Sequence, residues 1–223
     1  MNSRIKTPLY FRILGRIKHY VDLYPYDRIF FKRLQNKELS FVQAGAHTGK
    51  SGDFISVFGE KWNGYLLEPI PHIFEELVRD YPHKQNKIFE QIALSDYDGT
   101  LKLYSIKKTE ANKDWYALFT SSNPDNYYLK DAEKEIFEVP CFTLNTFLHQ
   151  RGIKELDLLY MNIEGHELRI LKKFDFNPMP KIIFIETRFF SFIEMKDFYE
   201  KLISMGYRIF PKRDFCLIIQ KNG

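Results

Sequence analysis

The chain has 223 residues, enough for one domain with a full core or for one domain and a modest extension. Apolar content of 44% and charged content of 28% describe an ordinary globular protein, and no run approaches the ~20 apolar residues of a membrane span. The net charge of +4 leaves no basic stripe along the body of the chain, which argues against nucleic acid as a partner, and the lack of an apolar leader run predicts a cytoplasmic location.

Residues 1–36 read as a basic helical N-terminal extension and residues 37–223 as the main domain. The first 33 residues hold eight Lys or Arg (Arg4, Lys6, Arg12, Arg16, Lys18, Arg28, Lys32, Arg33) against Asp22 and Asp27, so the remainder is slightly acidic. Aromatic and aliphatic residues interleave with these charges. The pattern predicts an amphipathic helix capping the domain edge, with peripheral contact to an anionic membrane as the competing role.

From residue 40 onward, strand-like and helix-like segments alternate. Ser40–Ala44 reads as a short apolar strand. Gly45, Gly49 and Gly52 then mark a tight turn opening a helix near Lys50, with Phe54, Ile55, Val57 and Phe58 packing inward. This turn fits two ligands. It matches the glycine loop of a Rossmann-like fold that holds S-adenosylmethionine, and it differs from the phosphate loop G-x-x-x-x-G-K-[ST] by one residue, Ala44.

Asn63–Leu67 is a second strand, ending at Glu68-Pro69. Pro71 opens a helix carrying Ile73, Phe74, Leu77 and Val78 at helical spacing. Lys87–Leu94 is read as a third strand, and residues 101–105 alternate as in an added strand or hairpin. Residues 107–135 are polar and read as a long loop over the site, with Trp115, Tyr116, Tyr127 and Tyr128 as ring-stacking candidates. Phe137–Phe142 is a further strand, and Thr143 caps a helix running to Arg151. Leu156–Ile163 and Lys181–Ile185 are strongly apolar strands, a helix covers roughly 191–205, and Tyr207–Phe210 with Phe215–Gln220 form a closing hairpin. Cys141 and Cys216 sit in apolar runs without motif spacing and read as reduced core residues. Aromatic content of 17%, with 21 Phe and 14 Tyr, reads first as a core built from Phe.

Alternating strands and helices imply a doubly wound α/β sheet. Ligands of such sheets sit beyond the carboxyl ends of the strands. Those ends are Gln43–Gly49, Glu68, Leu94–Asp96, Asn162–Glu164 and Glu186–Arg188. Glu68 follows Gly45 at close to the ~20-residue separation at which an acid meets ribose hydroxyls.

These residues resemble the FkbM family of S-adenosylmethionine-dependent methyltransferases. Gln43-Ala-Gly-Ala-His-Thr-Gly49 is similar to its D-x-G-A-N-x-G loop, and Leu67-Glu-Pro69 to its E-P motif. Ala93-Leu-Ser-Asp followed by Gly99 resembles A-L-S-D…G. Tyr160-Met-Asn-Ile-Glu-Gly-His-Glu167 resembles K-x-D-x-E-G-x-E, and Glu186 the fifth-strand acid. The resemblance implies a Rossmann-like class I methyltransferase fold, α/β, with a mostly parallel sheet closed by a C-terminal antiparallel hairpin. It implies S-adenosylmethionine as cofactor and methyl transfer to a hydroxyl of a small-molecule or glycan acceptor. The implied cofactor contacts are Gln43, Gly45, Ala46, His47, Gly49, Ser51, Glu68, Pro69, Ala93, Leu94 and Asn162. Glu164, Asn162, His166 and Glu186 are the candidate catalytic residues. Histidine has the more suitable ordinary pKa for a base at neutrality, whereas a carboxylate needs burial to become one.

The chain departs from the family pattern at several positions. Gln43 replaces an acid, His47 an Asn, Tyr160 a Lys and Asn162 an Asp. Gln43 keeps hydrogen-bonding capacity toward the methionine end of the cofactor but has no charge to pair its ammonium. Asn162 removes a base or metal ligand, and no grouping has metal spacing, so no metal is expected. Two alternatives stay open: a nucleotide site at Gly49-Lys50-Ser51, and a non-catalytic, cofactor-binding member of the fold.

Overall fold

The computed structural model describes residues 25–49, 53–107, 120–126, 129–212 and 214–221. Most of the basic N-terminal segment, Lys50, Ser51, Gly52, Trp115, Tyr116, Tyr127 and Tyr128 lie outside the described residues.

Strands β1 (Ser40–Ala44), β2 (Asn63–Leu67) and β3 (Lys87–Glu90) pair in parallel. On the other side of β1, β8 (Leu158–Met161) and β9 (Ile182–Glu186) continue the parallel run. Every residue of β8 and β9 is buried, as a strand covered on both faces requires. β11 (Phe215–Gln220) pairs antiparallel with β9 and with β10 (Tyr207–Pro211), closing the sheet with a hairpin. The seven-stranded order is β10-β11-β9-β8-β1-β2-β3. This is the doubly wound α/β arrangement with the switch point between β1 and β8, and the expected C-terminal hairpin is present.

Four helices have clear local causes. α3 (Pro71–Asp80) has proline in its first turn, and α4 (Leu144–Gln150) starts at Thr143, whose side chain accepts from the amide of Thr146. α6 (Phe192–Ser204) opens with a capping box between Ser191 and Glu194. α2 (Phe54–Phe58) begins at an Asp53 cap whose backbone is extended. The helix thus starts later than the glycine spacing suggests, because Asp53 supplies the acceptor for the amide of Ile55. The fifth, α5 (Glu167–Lys173), follows β8.

Two expectations need correction. The third strand does not run from Lys87 to Leu94. It ends at Glu90, and β4 (Ala93–Leu94) joins a second sheet in the order β4-β7-β5-β6. Nor are residues 107–135 irregular throughout. β6 (Thr120–Ser121) and the start of β7 (Lys134–Phe142) pair antiparallel with β5 (Gly99–Ile106).

The phenylalanines build core. α1 (Pro25–Leu34) inserts Phe31, which stacks on Phe54 at 4.7 Å and meets Phe184 edge-on at 5.3 Å between ring centroids. Phe184 also stacks on Phe215 at 5.0 Å and meets Tyr160 at 5.3 Å. This cluster holds α2 and the floor of the strand ends together. Cys141 and Cys216 are free and buried. Among the described residues no helix is long and apolar enough to cross a membrane.

Candidate active site

The turn after β1 packs closely against its neighbours. Gly45 has φ +77 and Gly49 φ +67, backbone conformations that side chains disfavour. A Cβ on Gly45 would overlap the backbone carbonyl oxygen of Asn162, and one on Gly49 would overlap the ring of Tyr81. His47 between them also has positive φ, 49°, a conformation that histidine tolerates better than most residues. The amides of Gly45 and Ala46 both donate to the Leu67 carbonyl at 3.0 Å, which fastens the turn to the end of β2.

Glu68 completes that fastening. Its Oε2 accepts from the His47 amide at 2.9 Å and its Oε1 from the Ile70 amide at 3.0 Å. Burial pushes its pKa up to about 7, with the two amide hydrogen bonds opposing. Each carboxylate oxygen keeps a second lone pair.

A cavity of about 50 Å³ opens between β1, the turn and β8. Gln43, Gly45, Ala46, His47, Gly49 and Asn162 line it, together with Asp53 and Tyr160. Six of the lining residues are ones the sequence singles out as cofactor contacts; Asp53 and Tyr160 are not. The sequence signal for Asp53 is a helix cap, an Asp immediately before the apolar Phe54-Ile55. Asp53 Oδ2 accepts from Gln43 Nε2 at 3.0 Å, and burial raises the Asp53 pKa to about 6. Gln43 Oε1 and Asn162 Oδ1 are buried without a hydrogen-bond partner among the described residues. Ala93 and Leu94 are buried in β4 and Pro69 follows Glu68; none of the three lines this cavity.

The loop after β8 carries the second group. Glu164 has φ 56 and Gly165 φ 97, so the chain turns sharply. Glu167, fully buried, holds the turn. Its Oε1 accepts from the Ile163 amide at 2.7 Å and its Oε2 from the Gly165 amide at 3.0 Å. Burial raises its pKa to about 7. Arg188 reaches two carboxylates, hydrogen-bonding Glu186 and lying 3.8 Å from Glu164. Burial, then the charge of Glu164, pushes the pKa of Glu186 up, while the Arg188 guanidinium opposes that shift. Its Oε2 is buried without a hydrogen-bond partner among the described residues.

His166 lies apart from the cavity lining. It is the buried cap residue of α5, with Nδ1 3.1 Å from Ser122 Oγ and Nε2 3.4 Å from Ser95 Oγ. Asp96 Oδ1 is 3.7 Å from Nε2. Burial lowers the His166 pKa, against the pull of Asp96, so the ring is neutral at pH 7. Its polar neighbours come from distant parts of the chain, since Ser95 and Asp96 follow β4 and Ser122 follows β6. No cluster of three or more acidic, histidine or cysteine side chains among the described residues has the geometry to hold a metal.

Residues 43–209 match the family described as Methyltransferase FkbM domain. No curated protein matches the chain. Among solved structures, the Methanococcus jannaschii fibrillarin pre-rRNA processing protein is 15% identical over 83% of this chain and 66% of its own, with a TM-score of 0.42. A human methyltransferase 10 domain containing protein is 10% identical over 90% of this chain and 83% of its own, at 0.44. The METTL16 MTase domain is 9% identical over 87% of this chain and 66% of its own, at 0.47. The chain thus spans just under two thirds of the fibrillarin and METTL16 structures.

Proposed function

The chain belongs to the FkbM methyltransferase family, and we propose that it transfers a methyl group from S-adenosylmethionine to a hydroxyl of a sugar or similarly polar acceptor. The observation that carries the reading is the placement of two groups at the switch point of one sheet: a glycine turn with unpartnered buried acceptors, and a Glu164–Arg188–Glu186 constellation at the ends of β8 and β9. The residues present suit the cofactor. Gln43 Oε1 and Asn162 Oδ1 await donors, the turn from Gly45 through Ala46 and His47 to Gly49 exposes backbone, and Glu68 has lone pairs left for a diol. Pro69, Ala93 and Leu94 do not line this cavity, and Ser51 falls outside the described residues.

S-adenosylmethionine, when bound, supplies an electrophilic methyl carbon on a sulfonium. The protein has to hold the acceptor oxygen in line and accept the proton it loses. Glu164 is the group assigned to take that proton. Arg188, hydrogen-bonded to Glu186 and 3.8 Å from Glu164, orients the Glu164 carboxylate and offsets the negative charge of the neighbouring carboxyl groups. Glu167 sets the backbone turn that presents Glu164. His166, neutral and held by Ser95 and Ser122, braces the base of α5 and acts as a positioning residue.

Mass detection of a methylated product on polyhydroxylated acceptors tests this reading, with Glu164→Gln as the control. The variant should retain affinity for S-adenosylhomocysteine and lose on the order of 10²–10⁴ in turnover. Methylation confined to amine or thiol acceptors, or full turnover in Glu164→Gln, would contradict it.

A further inference from the structure

Two acceptor atoms at the cavity between β1 and β8 have lost water without gaining a donor. Gln43 is 2% exposed, and while its Nε2 is committed to Asp53, its Oε1 has no hydrogen-bond partner among the described residues; Asn162 Oδ1 is in the same state. A buried acceptor left this way costs roughly 1–3 kcal/mol, so a ligand bringing several N–H groups would be favoured here. Asp53 adds charge to the same place. It is 7% exposed, it is the one carboxylate among the described lining residues, and no Lys or Arg is among them. A buried carboxylate is costly unless a cation faces it. Burial accordingly raises its pKa to about 6. The opening, about 50 Å³, has room for a group the size of a primary ammonium.

We propose that Asp53 is the counter-charge for the α-ammonium of the cofactor's methionine end, with Gln43 Oε1 and Asn162 Oδ1 as its neutral acceptors. This rests on the methyltransferase reading. Asp53 is a binding residue in this account. Gln43 Nε2 orients one carboxylate oxygen, and the amide of Ile55 engages the other at 2.9 Å. The first turn of α2 therefore fixes where the charge stands.

The test is calorimetric titration of the full chain with S-adenosylhomocysteine and with its analogue in which hydrogen replaces the α-amino group. Asp53→Asn keeps an acceptor for the Ile55 amide, so α2 stays capped, and Asp53→Ser is a second uncharged cap for use if the first variant melts early. The wild type should bind the amino compound at least ~10-fold more tightly than the analogue, and in both variants that preference should shrink several-fold, to what the two neutral acceptors supply. A preference undiminished in the variants would overturn the assignment of Asp53. Equal affinity of the wild type for both compounds would overturn the ammonium site while leaving the methyltransferase reading standing. Failure of the wild type to bind either would overturn that reading and this assignment together.

Discussion

Gly45 sits where a single added methyl has nowhere to go. Its backbone is left-handed and a Cβ would overlap the Asn162 carbonyl oxygen, which belongs to the neighbouring strand's backbone and cannot swing away. Gly45→Ala should lower stability by about 3 kcal/mol and shift the thermal midpoint down by several degrees; an unchanged midpoint would mean that the turn can open freely. Glu68 is constrained in another way, since two buried amides depend on its carboxylate. Glu68→Ala should weaken S-adenosylhomocysteine binding at least 10-fold in calorimetry, through the lost ribose acceptor and a loosened His47, whereas undiminished affinity would remove Glu68 from the site. At this scale the strand-end residues were legible because the α/β pattern itself locates the ligand. Gln43 looked like a lost charge. The structure puts a carboxylate one side chain away, on Asp53, and nothing in linear spacing reveals a hydrogen bond between a strand residue and a helix cap. His166 was equally opaque, because Ser95 and Ser122 reach it from distant parts of the chain.

The turn from β8 into α5 shows how one buried side chain organises an element. Glu167 accepts two amides from the turn before its own helix, and burial raises its pKa to about 7, above its unfolded value near 4.5. A raised carboxyl pKa means that the folded state binds the proton more tightly. The stability from this group is therefore full below about pH 4.5 and is lost as pH rises toward 7. Glu68, also raised to about 7, and Asp53, raised to about 6, slope the same way, while neutral His166 opposes them as pH falls below about 6.5. Melting curves of the wild type and Glu167→Gln between pH 4.5 and 7.5 should separate these contributions. The wild type should lose more stability than the variant across that interval, and parallel curves would show that Glu167 is not titrating there. Among the elements, β1, β2, the proline-opened α3 and the capped helices α4 and α6 follow from local pattern. The break after Glu90 does not, because Ile92-Ala-Leu94 resumes the apolar pattern after Glu90-Gln91 and only the pairing of Ala93-Leu94 with Cys141-Phe142 reveals a change of sheet. The start of β7 was hidden by Lys134 and Glu135, whose charges suit a sheet edge as well as a loop.

Among the described residues, one seven-stranded sheet carries the glycine turn and the carboxylate pair at its strand ends, and a smaller sheet packs Leu101, Leu103 and Val139 against Ile70 and Ile73. The alternation of apolar strands with helices made the large sheet and its closing hairpin readable. The smaller sheet was not, since its antiparallel pairs join segments separated by polar stretches. The phosphate-loop alternative loses its footing because residues 43–209 match a methyltransferase family. The central claim, that the turn between β1 and α2 with Glu68 holds S-adenosylmethionine, is most directly tested by thermal unfolding with S-adenosylhomocysteine and, in parallel, with Mg-ATP. At 100 times its Kd a ligand adds roughly 2.7 kcal/mol, so S-adenosylhomocysteine should raise the midpoint by several degrees while Mg-ATP leaves it in place. A rise with Mg-ATP alone, or with neither, would contradict the account.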